Sequence, residues 1–229
     1  MTESSAPTIA ALLTGLIRDP GRPRLTWYGP EGERIELSGA VLDNWVAKTT
    51  NLLVEEFDAG PGTRLRLDLP VHWRTLVWAL AAWRAGATVL PTDAGADIVV
   101  TDHPDRHPGV DQLVAVALPG LSLRWTGPAL PPGAVDAAQA VMTYGDVIGW
   151  APPVDSTAEA LPGVRFDQLI AAEDTAGART LLTGDQEVTA LLLTALRVWA
   201  SGGSVVLAPG ADAERADRIG ETERVTARG

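Results

Sequence analysis

The polar segment TDHPDRHPG, from Thr101 to Gly109, holds two of the three histidines in the chain. Its potential metal ligands are Asp102, His103, Asp105 and His107. Two histidines four residues apart bind zinc from one face of a helix, and Pro104 and Pro108 exclude a helix here. We therefore expect a solvated polar loop and predict no metal site.

Nucleophilic catalysis and nucleotide binding leave motifs that this chain lacks. It has no cysteine and no G-x-S-x-G, and its histidines, His72, His103 and His107, show no triad spacing. Neither G-x-G-x-x-G nor G-x-x-x-x-G-K-[ST] occurs, although such glycines let backbone N–H groups wrap a phosphate. Lys48 is the only lysine, and its helical spacing predicts that it faces solvent. No catalytic residue is predicted.

The segment Thr183-Gly184-Asp185-Gln186 has the pattern of a helix start that follows a short strand. Thr183 and Gln186 fit a capping box, and Asp185 complements the positive end of the helix dipole. Ligands of α/β proteins bind where a strand's carboxyl end meets such a helix. Thr183, Gly184 and Asp185 therefore form a candidate ligand cleft, although helix capping alone also accounts for them.

Composition narrows the class of partner. The net charge of −11 argues against a nucleic-acid-binding surface, which needs clustered Lys and Arg, and equally against an anionic membrane, so neither is an expected partner. No apolar run approaches the roughly 20 residues of a membrane helix, and the first residues do not form a secretory signal. With no cysteine and 46% hydrophobic residues, the chain is predicted to be a folded, soluble, cytoplasmic protein.

The clearest structural pattern lies between Arg64 and Asp93. An alternating strand, a nearly all-apolar helix over residues 73–85, Gly86 and a strand over residues 88–90 predict a right-handed βαβ crossover with parallel strands. Outside it the patterns predict helices over residues 7–17, 38–57 and 185–200, and strands over 25–28, 34–37, 97–101, 113–118, 123–126 and 204–207. The fold class is α/β, with layered mixed or parallel sheets and flanking helices.

The chain divides at its Pro/Gly-rich stretches. Residues 1–126 are predicted to form a first α/β subdomain, 127–163 a connection, 164–210 a second α/β part and 211–229 a flexible tail. The sequences ALAAWRAGATVL and ALRVWASGGSVV align Trp83 with Trp199 and Gly86 with Gly202. Two related α/β halves would produce this match, and so would the general similarity of βαβ units.

The stretch from Leu25 to Asp93 resembles the opening of the adenylate-forming superfamily, which includes acyl-CoA synthetases, peptide-synthetase adenylation domains and luciferases. The matching residues, in order and at the family's spacing, are Ala59-Gly60-Pro61-Gly62-Thr63-Arg64, Leu69-Pro70, Ala85-Gly86-Ala87 and Pro91. The resemblance covers about the first hundred residues and returns in Ala195 to Pro209. It implies the layered α/β fold of the N-terminal subdomains of these enzymes, with ATP as a cosubstrate.

The family's phosphate loop, which ends in T-G-x-P-K-G-V, has a degenerate counterpart in the predicted connection. Ser156, Thr157 and Gly163 match it, but Glu159 falls near a required glycine and Pro162 occupies the lysine position. A carboxylate there would obstruct the cradle and repel a triphosphate. The adenine- and ribose-binding motifs and the C-terminal catalytic domain are also missing, which predicts a shortened relative. We expect no bound cofactor, ATP and AMP included.

Three hypotheses follow for function. The first is a binding or interaction module without adenylating activity, whose partner is a small molecule or a protein. The second is a small enzyme or binding protein for an acyl or nucleotide ligand, with Asp185, His72 or His103 as acid–base groups. The third is a protein-binding role through exposed tryptophans, for which Trp27, Trp125 and Trp150 lie outside the strong helices. Ligand identity and oligomeric state stay open.

Overall fold

The computed structural model of the protein describes residues 8–92, 95–120, 122–171, 177–183 and 187–229. The helices are α1 (Ile9–Leu16), α2 (Gly39–Phe57), α3 (Trp73–Ala85), α4 (Ala137–Val141), α5 (Phe166–Leu169), α6 (Val188–Ala200) and α7 (Ala213–Thr222). The strands are β1 (Pro23–Tyr28), β2 (Arg34–Ser38), β3 (Arg64–Asp68), β4 (Thr88–Leu90), β5 (Ile98–Thr101), β6 (Leu113–Ala115), β7 (Val135–Asp136), β8 (Glu159–Leu161), β9 (Val164–Arg165), β10 (Arg179–Leu182), β11 (Ser204–Leu207) and β12 (Ala227–Arg228).

Two five-stranded sheets organise the fold. One has the order β12-β10-β11-β1-β2 and is parallel except for the antiparallel β1–β2 hairpin. The other has the order β4-β3-β5-β6-β7 and is parallel throughout. Strands β8 and β9 form a separate antiparallel hairpin. The predicted α/β class with mixed and parallel sheets is confirmed.

The chain separates into two compact units, each built on one sheet. The first comprises residues 1–43, 71–73 and 166–229, and the second comprises residues 44–70 and 74–165. The units interleave along the chain because β1 pairs with β11, which lies far from it in sequence. The segment predicted as a first subdomain, residues 1–126, therefore contributes to both units.

Each unit contains one βαβ crossover of the same design. Strands β3 and β4 pair in parallel around the 13-residue helix α3, and β10 and β11 pair in parallel around the 13-residue helix α6. Each helix is followed within two residues by a glycine with positive φ, +88° at Gly86 and +75° at Gly202, which lets the chain turn into the strand. Each also carries a buried tryptophan, Trp83 or Trp199. The sequence match thus corresponds to a structural match.

Residues 211–229 differ from the predicted flexible tail. Asp212 caps helix α7 by accepting a hydrogen bond of 2.8 Å from the backbone N–H of Arg215. The helix packs Ala216 and Ile219 against a core cluster of the first sheet, and β12 adds an edge strand beside β10. Two apolar side chains on one helical face suffice to anchor a segment that is otherwise charged.

Helix α2 carries polar residues toward protein atoms where solvent exposure is predicted. The Nζ atom of Lys48 donates a 2.6 Å hydrogen bond to the carbonyl of Tyr144 and lies 2.8 Å from Oδ1 of Asp146. The buried Asn51 donates to the carbonyls of Gly145 and Val147. The prediction of a solvent-facing Lys48 is wrong, because the segment over residues 144–147 has no regular secondary structure and its backbone carbonyls need hydrogen-bond donors.

The strand predicted over residues 123–126 is not formed. The backbone N–H of Trp125 donates to Asp136 Oδ2 at 2.7 Å, and its indole N–H donates to the carbonyl of Pro128 at 2.7 Å.

Within the described ranges, no helix is both long and apolar enough to cross a membrane.

Candidate functional site

The carboxyl edge of the all-parallel sheet brings polar side chains together at a change of direction. The connection that leaves β3 runs to β4 on one side of it, whereas the connection that leaves the neighbouring strand β5 runs to β6 on the opposite side. Ligands of open α/β sheets bind at such a point. Asp68 and Thr101, the last residues of β3 and β5, are register partners there.

Asp68 is the centre of this cluster. Its Oδ2 atom accepts a hydrogen bond of 2.8 Å from Nε2 of His107 and one of 2.9 Å from Oγ1 of Thr101. Its Oδ1 atom lies 3.3 Å from Nη2 of Arg66. Because a carboxylate only accepts, His107 presents a protonated Nε2 to it. The two sheet strands and the loop that follows β5 are thus joined through one carboxylate.

Two carboxyl groups at this edge have pKa values that are shifted in opposite directions, downward for Asp68 and upward for Asp102. Burial would raise the pKa of Asp68, but hydrogen bonds from His107 and Thr101 and the charge of Arg66 lower it below its usual value. Burial raises the pKa of Asp102, and the neighbouring His103 offsets this only in part. Carboxyl groups with divergent pKa values in one crevice are typical of sites that bind or exchange protons.

The histidine segment is less solvated than the sequence predicts. His107 is 7% exposed, because it follows a 3₁₀ turn over Pro104–Arg106 that directs its ring to Asp68. His103 is exposed, with Nε2 at 3.5 Å from Asp102 Oδ2. No three histidine, aspartate or glutamate side chains in the described part of the chain are placed to hold a metal ion. Sequence reasoning did not single out Asp68. The signal that could have identified it is a carboxylate at the last position of a predicted strand.

Replacing His107 by alanine is expected to lower the free energy of unfolding by about 2 kcal/mol, since it leaves a partly buried carboxylate without its strongest donor. Urea denaturation at pH 7 measures this change. The matched control is His103→Ala, which removes an exposed ring and should change stability by less than about 0.5 kcal/mol. Equal losses in the two variants would contradict the assigned anchoring role of His107.

The segment that resembles a phosphate loop is folded on its own carboxylates. Asp155 Oδ1 accepts from the backbone N–H of Thr157 at 2.8 Å and from its hydroxyl at 2.7 Å. The hydrogen bonds from Thr157 lower the pKa of Asp155. Glu159 Oε1 accepts from the backbone N–H of Gly163 at 3.2 Å, and Gly163 takes φ +75° in the β8–β9 turn. Ser156 is exposed in the preceding turn.

Side chains of α3 and β4, in the same unit, hold this segment in place. The indole N–H of Trp83 donates to the carbonyl of Ala160 at 2.8 Å, and the hydroxyl of Thr88 donates to the carbonyl of Glu159 at 2.7 Å. Helix α3 and strand β4 therefore fix strand β8. The N–H groups of Thr157 and Gly163 are bonded within the segment.

The second candidate cleft is only partly described. Thr183 is half-buried after β10, whereas Gly184, Asp185 and Gln186 lie outside the described residues. Helix α6 starts at Val188, three residues later than predicted, with Glu187 at the N-cap position and no side-chain cap from it.

The remaining predicted residues are dispersed. His72 is buried, with its ring 4.3 Å from that of Trp27 and 5.7 Å from that of Trp73, so it lies in the core of the first unit. Of the three tryptophans proposed as partner anchors, Trp27 is buried, Trp125 is half-buried and Trp150 is 65% exposed.

Comparisons with known proteins agree with this fold. No family model matches the sequence. The chain is 36% identical over 235 residues to a TIGR03089 family protein of Mycobacterium tuberculosis, covering 94% of this chain and 95% of that protein. Among solved structures it is similar to an acyl-CoA synthetase of Brucella canis, with 19% identity, a TM-score of 0.76 and coverage of 100% of this chain and 48% of that one.

A second solved structure, an amide bond synthetase of Marinactinospora thermotolerans, matches with 16% identity, a TM-score of 0.67 and coverage of 96% of this chain and 48% of that one. The chain thus spans about half the length of the solved structures it matches. The resemblance to the adenylate-forming superfamily is confirmed at the level of the fold, and the chain belongs to the TIGR03089 family.

Proposed function

We propose that this chain is a binding module with an adenylate-forming fold and without adenylating activity. The observation that carries the proposal is the segment over residues 155–163, where Asp155 and Glu159 accept hydrogen bonds from the N–H groups of Thr157 and Gly163. A phosphate would need those N–H groups free and would meet two carboxylates instead. The partner is a small molecule or a protein, since the net charge of −11 disfavours nucleic acid and membranes.

The charge balance supports the same proposal. Activation of a carboxylate by ATP needs cations to offset the charge that develops on the transferred phosphates. Pro162 stands at the position where the resemblance requires lysine. The chain's one lysine, Lys48, is engaged with Tyr144 and Asp146. With no lysine at the loop and two anions in it, ATP is repelled rather than held.

Carboxylate-dependent exchange of pyrophosphate into ATP tests this proposal. We expect the purified chain to show no exchange above the enzyme-free blank with short, medium, long and aromatic carboxylic acids. An active adenylate-forming enzyme in the same assay is the control. Exchange that depends on both the protein and an added acid would refute the proposal.

A second candidate function is a small enzyme or binding protein for an acyl or nucleotide ligand. The Asp68–His107 pair at the carboxyl edge of the parallel sheet favours it. Thermal-shift measurements with AMP, coenzyme A and an acyl-adenylate analogue are the test. A ligand at a hundred times its Kd adds about 2.7 kcal/mol of stability. Replacing the exposed His103 by alanine should weaken the binding of such a ligand without changing the Tm of the unliganded chain.

A further inference from the structure

A groove of about 320 Å³ lies in the first unit between helices α1 and α6. We call it the α1–α6 groove. The lining residues include Leu12, Gly15, Leu16, Arg18, Trp199 and Gly202. They include neither the segment over residues 155–163 nor the edge around Asp68, so the groove is separate from both sites described above.

Two glycines, Gly15 and Gly202, line this groove. A Cβ atom added at Gly15, in the last turn of α1, would meet no atom of the described residues within 4 Å, and the same holds at Gly202. Glycine is disfavoured in helices because it loses the most backbone freedom on folding. At Gly15 no neighbouring atom requires the missing side chain. Because Gly15 lines the groove, a long side chain at this position would extend into it.

The groove wall is apolar and its rim carries one cation. Leu12, Leu16 and Trp199 are buried beneath it, and the indole N–H of Trp199 is bonded to the carbonyl of Arg24 at 2.9 Å. Trp199 therefore offers the groove an apolar ring. Arg18 is exposed, and its guanidinium has no hydrogen bond or ion pair to another described residue. A pocket that is apolar inside with one guanidinium at the rim suits an amphiphile with one anionic end.

The volume limits the size of the apolar part. A dry cavity of about 150 Å³ binds benzene, which has six carbons, so a groove of about 320 Å³ has room for an open chain of more than six carbons. We propose that the α1–α6 groove binds an amphiphilic monoanion with an apolar chain of about eight carbons, whose head group lies at Arg18. A carboxylate and an alkyl sulfate share this chemistry, and their relative affinities distinguish the natural head group.

Isothermal titration with octanoate, octyl sulfate and octan-1-ol tests the proposal, because the three probes share a chain and differ in the head group. We expect saturable binding of one or both anions to the wild-type chain, at least about tenfold tighter than binding of the alcohol. Arg18→Gln should reduce anion affinity to that of the alcohol. Arg106→Gln, an exposed arginine of the second unit, is the control and should change nothing.

Filling the groove separates binding from folding. Gly15→Leu should abolish binding of all three probes, whereas Thr14→Leu, on the neighbouring exposed position of the same helix, should bind like the wild type. Gly15→Ala should raise Tm by about 2–4 °C, because it removes the helical cost of glycine without a clash. If Gly15→Leu does not fold, methyl chemical shifts of Leu12 and Leu16 in the wild type report binding instead.

Three results would overturn the inference. They are no saturable binding of either anion to the wild type, unchanged binding in a folded Gly15→Leu chain, and anion affinity unaffected by Arg18→Gln. The inference does not depend on the lack of adenylating activity, since the pyrophosphate exchange assay can fail or succeed without changing these outcomes.

Discussion

Replacing Glu223 by glutamine is expected to lower the free energy of unfolding by about 3 kcal/mol, because it removes the charge that balances two guanidinium groups. The side chain of Glu223 is 5% exposed. It accepts from the hydroxyl of Tyr28 at 2.6 Å, from Nε of Arg34 at 2.9 Å and from the guanidinium of Arg179. Glutamine fits the space but leaves Arg34 and Arg179 without their shared anion.

The pH dependence of stability follows from the same carboxylate. Burial would raise the pKa of Glu223, but hydrogen bonds from Arg34, Tyr28 and Arg179 outweigh it and lower the pKa to about 2. Since the folded pKa lies below the ordinary value of 4.5, the stabilisation is complete above about pH 4.5. It is lost as the pH falls from there toward 2.

Urea denaturation of the wild type and Glu223→Gln at pH 7, 4 and 3 measures both effects. The difference between the two proteins should shrink toward pH 3. Glu214→Gln is the matched control, in helix α7, of which Glu223 is the C-cap; the Glu214 side chain is 82% exposed and lies 3.5 Å from Arg218. It should change stability by less than about 0.5 kcal/mol. A pH-independent difference would contradict the proposed charge balance.

Truncating Trp83 to alanine is expected to cost about 4 kcal/mol, since it empties a large volume in a closely packed core. Trp83 is 1% exposed, and its indole N–H holds the carbonyl of Ala160 at 2.8 Å. Trp83→Ala therefore leaves a cavity beside α3 and removes the indole N–H that donates to β8.

The comparison variants are Trp83→Phe and Trp150→Ala. Phenylalanine keeps most of the packing but not the N–H donor, so its cost should be intermediate. Trp150 is 65% exposed, and its removal should change the free energy of unfolding by less than about 0.5 kcal/mol. Equal losses of unfolding free energy for Trp83→Ala and Trp150→Ala in urea denaturation would contradict the assigned role of Trp83 in the core around the β3–α3–β4 crossover.

Local patterns explain the parts of the fold that the sequence predicts well. The boundaries of α3 and β4 agree with the predicted ones, because a long apolar run followed by Gly86 leaves few alternatives. The β1–β2 hairpin and the cap of α2, where Ser38 Oγ accepts from the N–H of Val41 at 3.3 Å, are likewise encoded within a few residues.

Distant partners explain the parts that the sequence does not predict. The helical pattern of α2 places Lys48 opposite the apolar face, and nothing local indicates that a carbonyl 96 residues later will accept from it. His107 reads as part of a solvated loop until Asp68, 39 residues earlier, is placed beside it. Likewise, α7 has too few apolar residues to predict its packing until the sheet it covers is known.

The degenerate phosphate loop was predictable in composition and not in geometry. Substitution of the glycine and lysine positions by Glu159 and Pro162 is visible in the sequence. That Glu159 accepts from Gly163, and Asp155 from Thr157, depends on the turns that the chain adopts. These bonds convert a loop that could be merely weakened into one whose donors are occupied.

Titration of the isotopically labelled chain with magnesium-ATP, followed through the backbone amide signals of Thr157 and Gly163, measures whether these two N–H groups can bind phosphate. The two N–H groups are bonded to Asp155 and Glu159, so we predict that their chemical shifts stay unchanged up to millimolar nucleotide. Saturable shifts of both signals at a common Kd would show that the loop opens to hold phosphate, and would refute the proposal that this chain does not bind ATP.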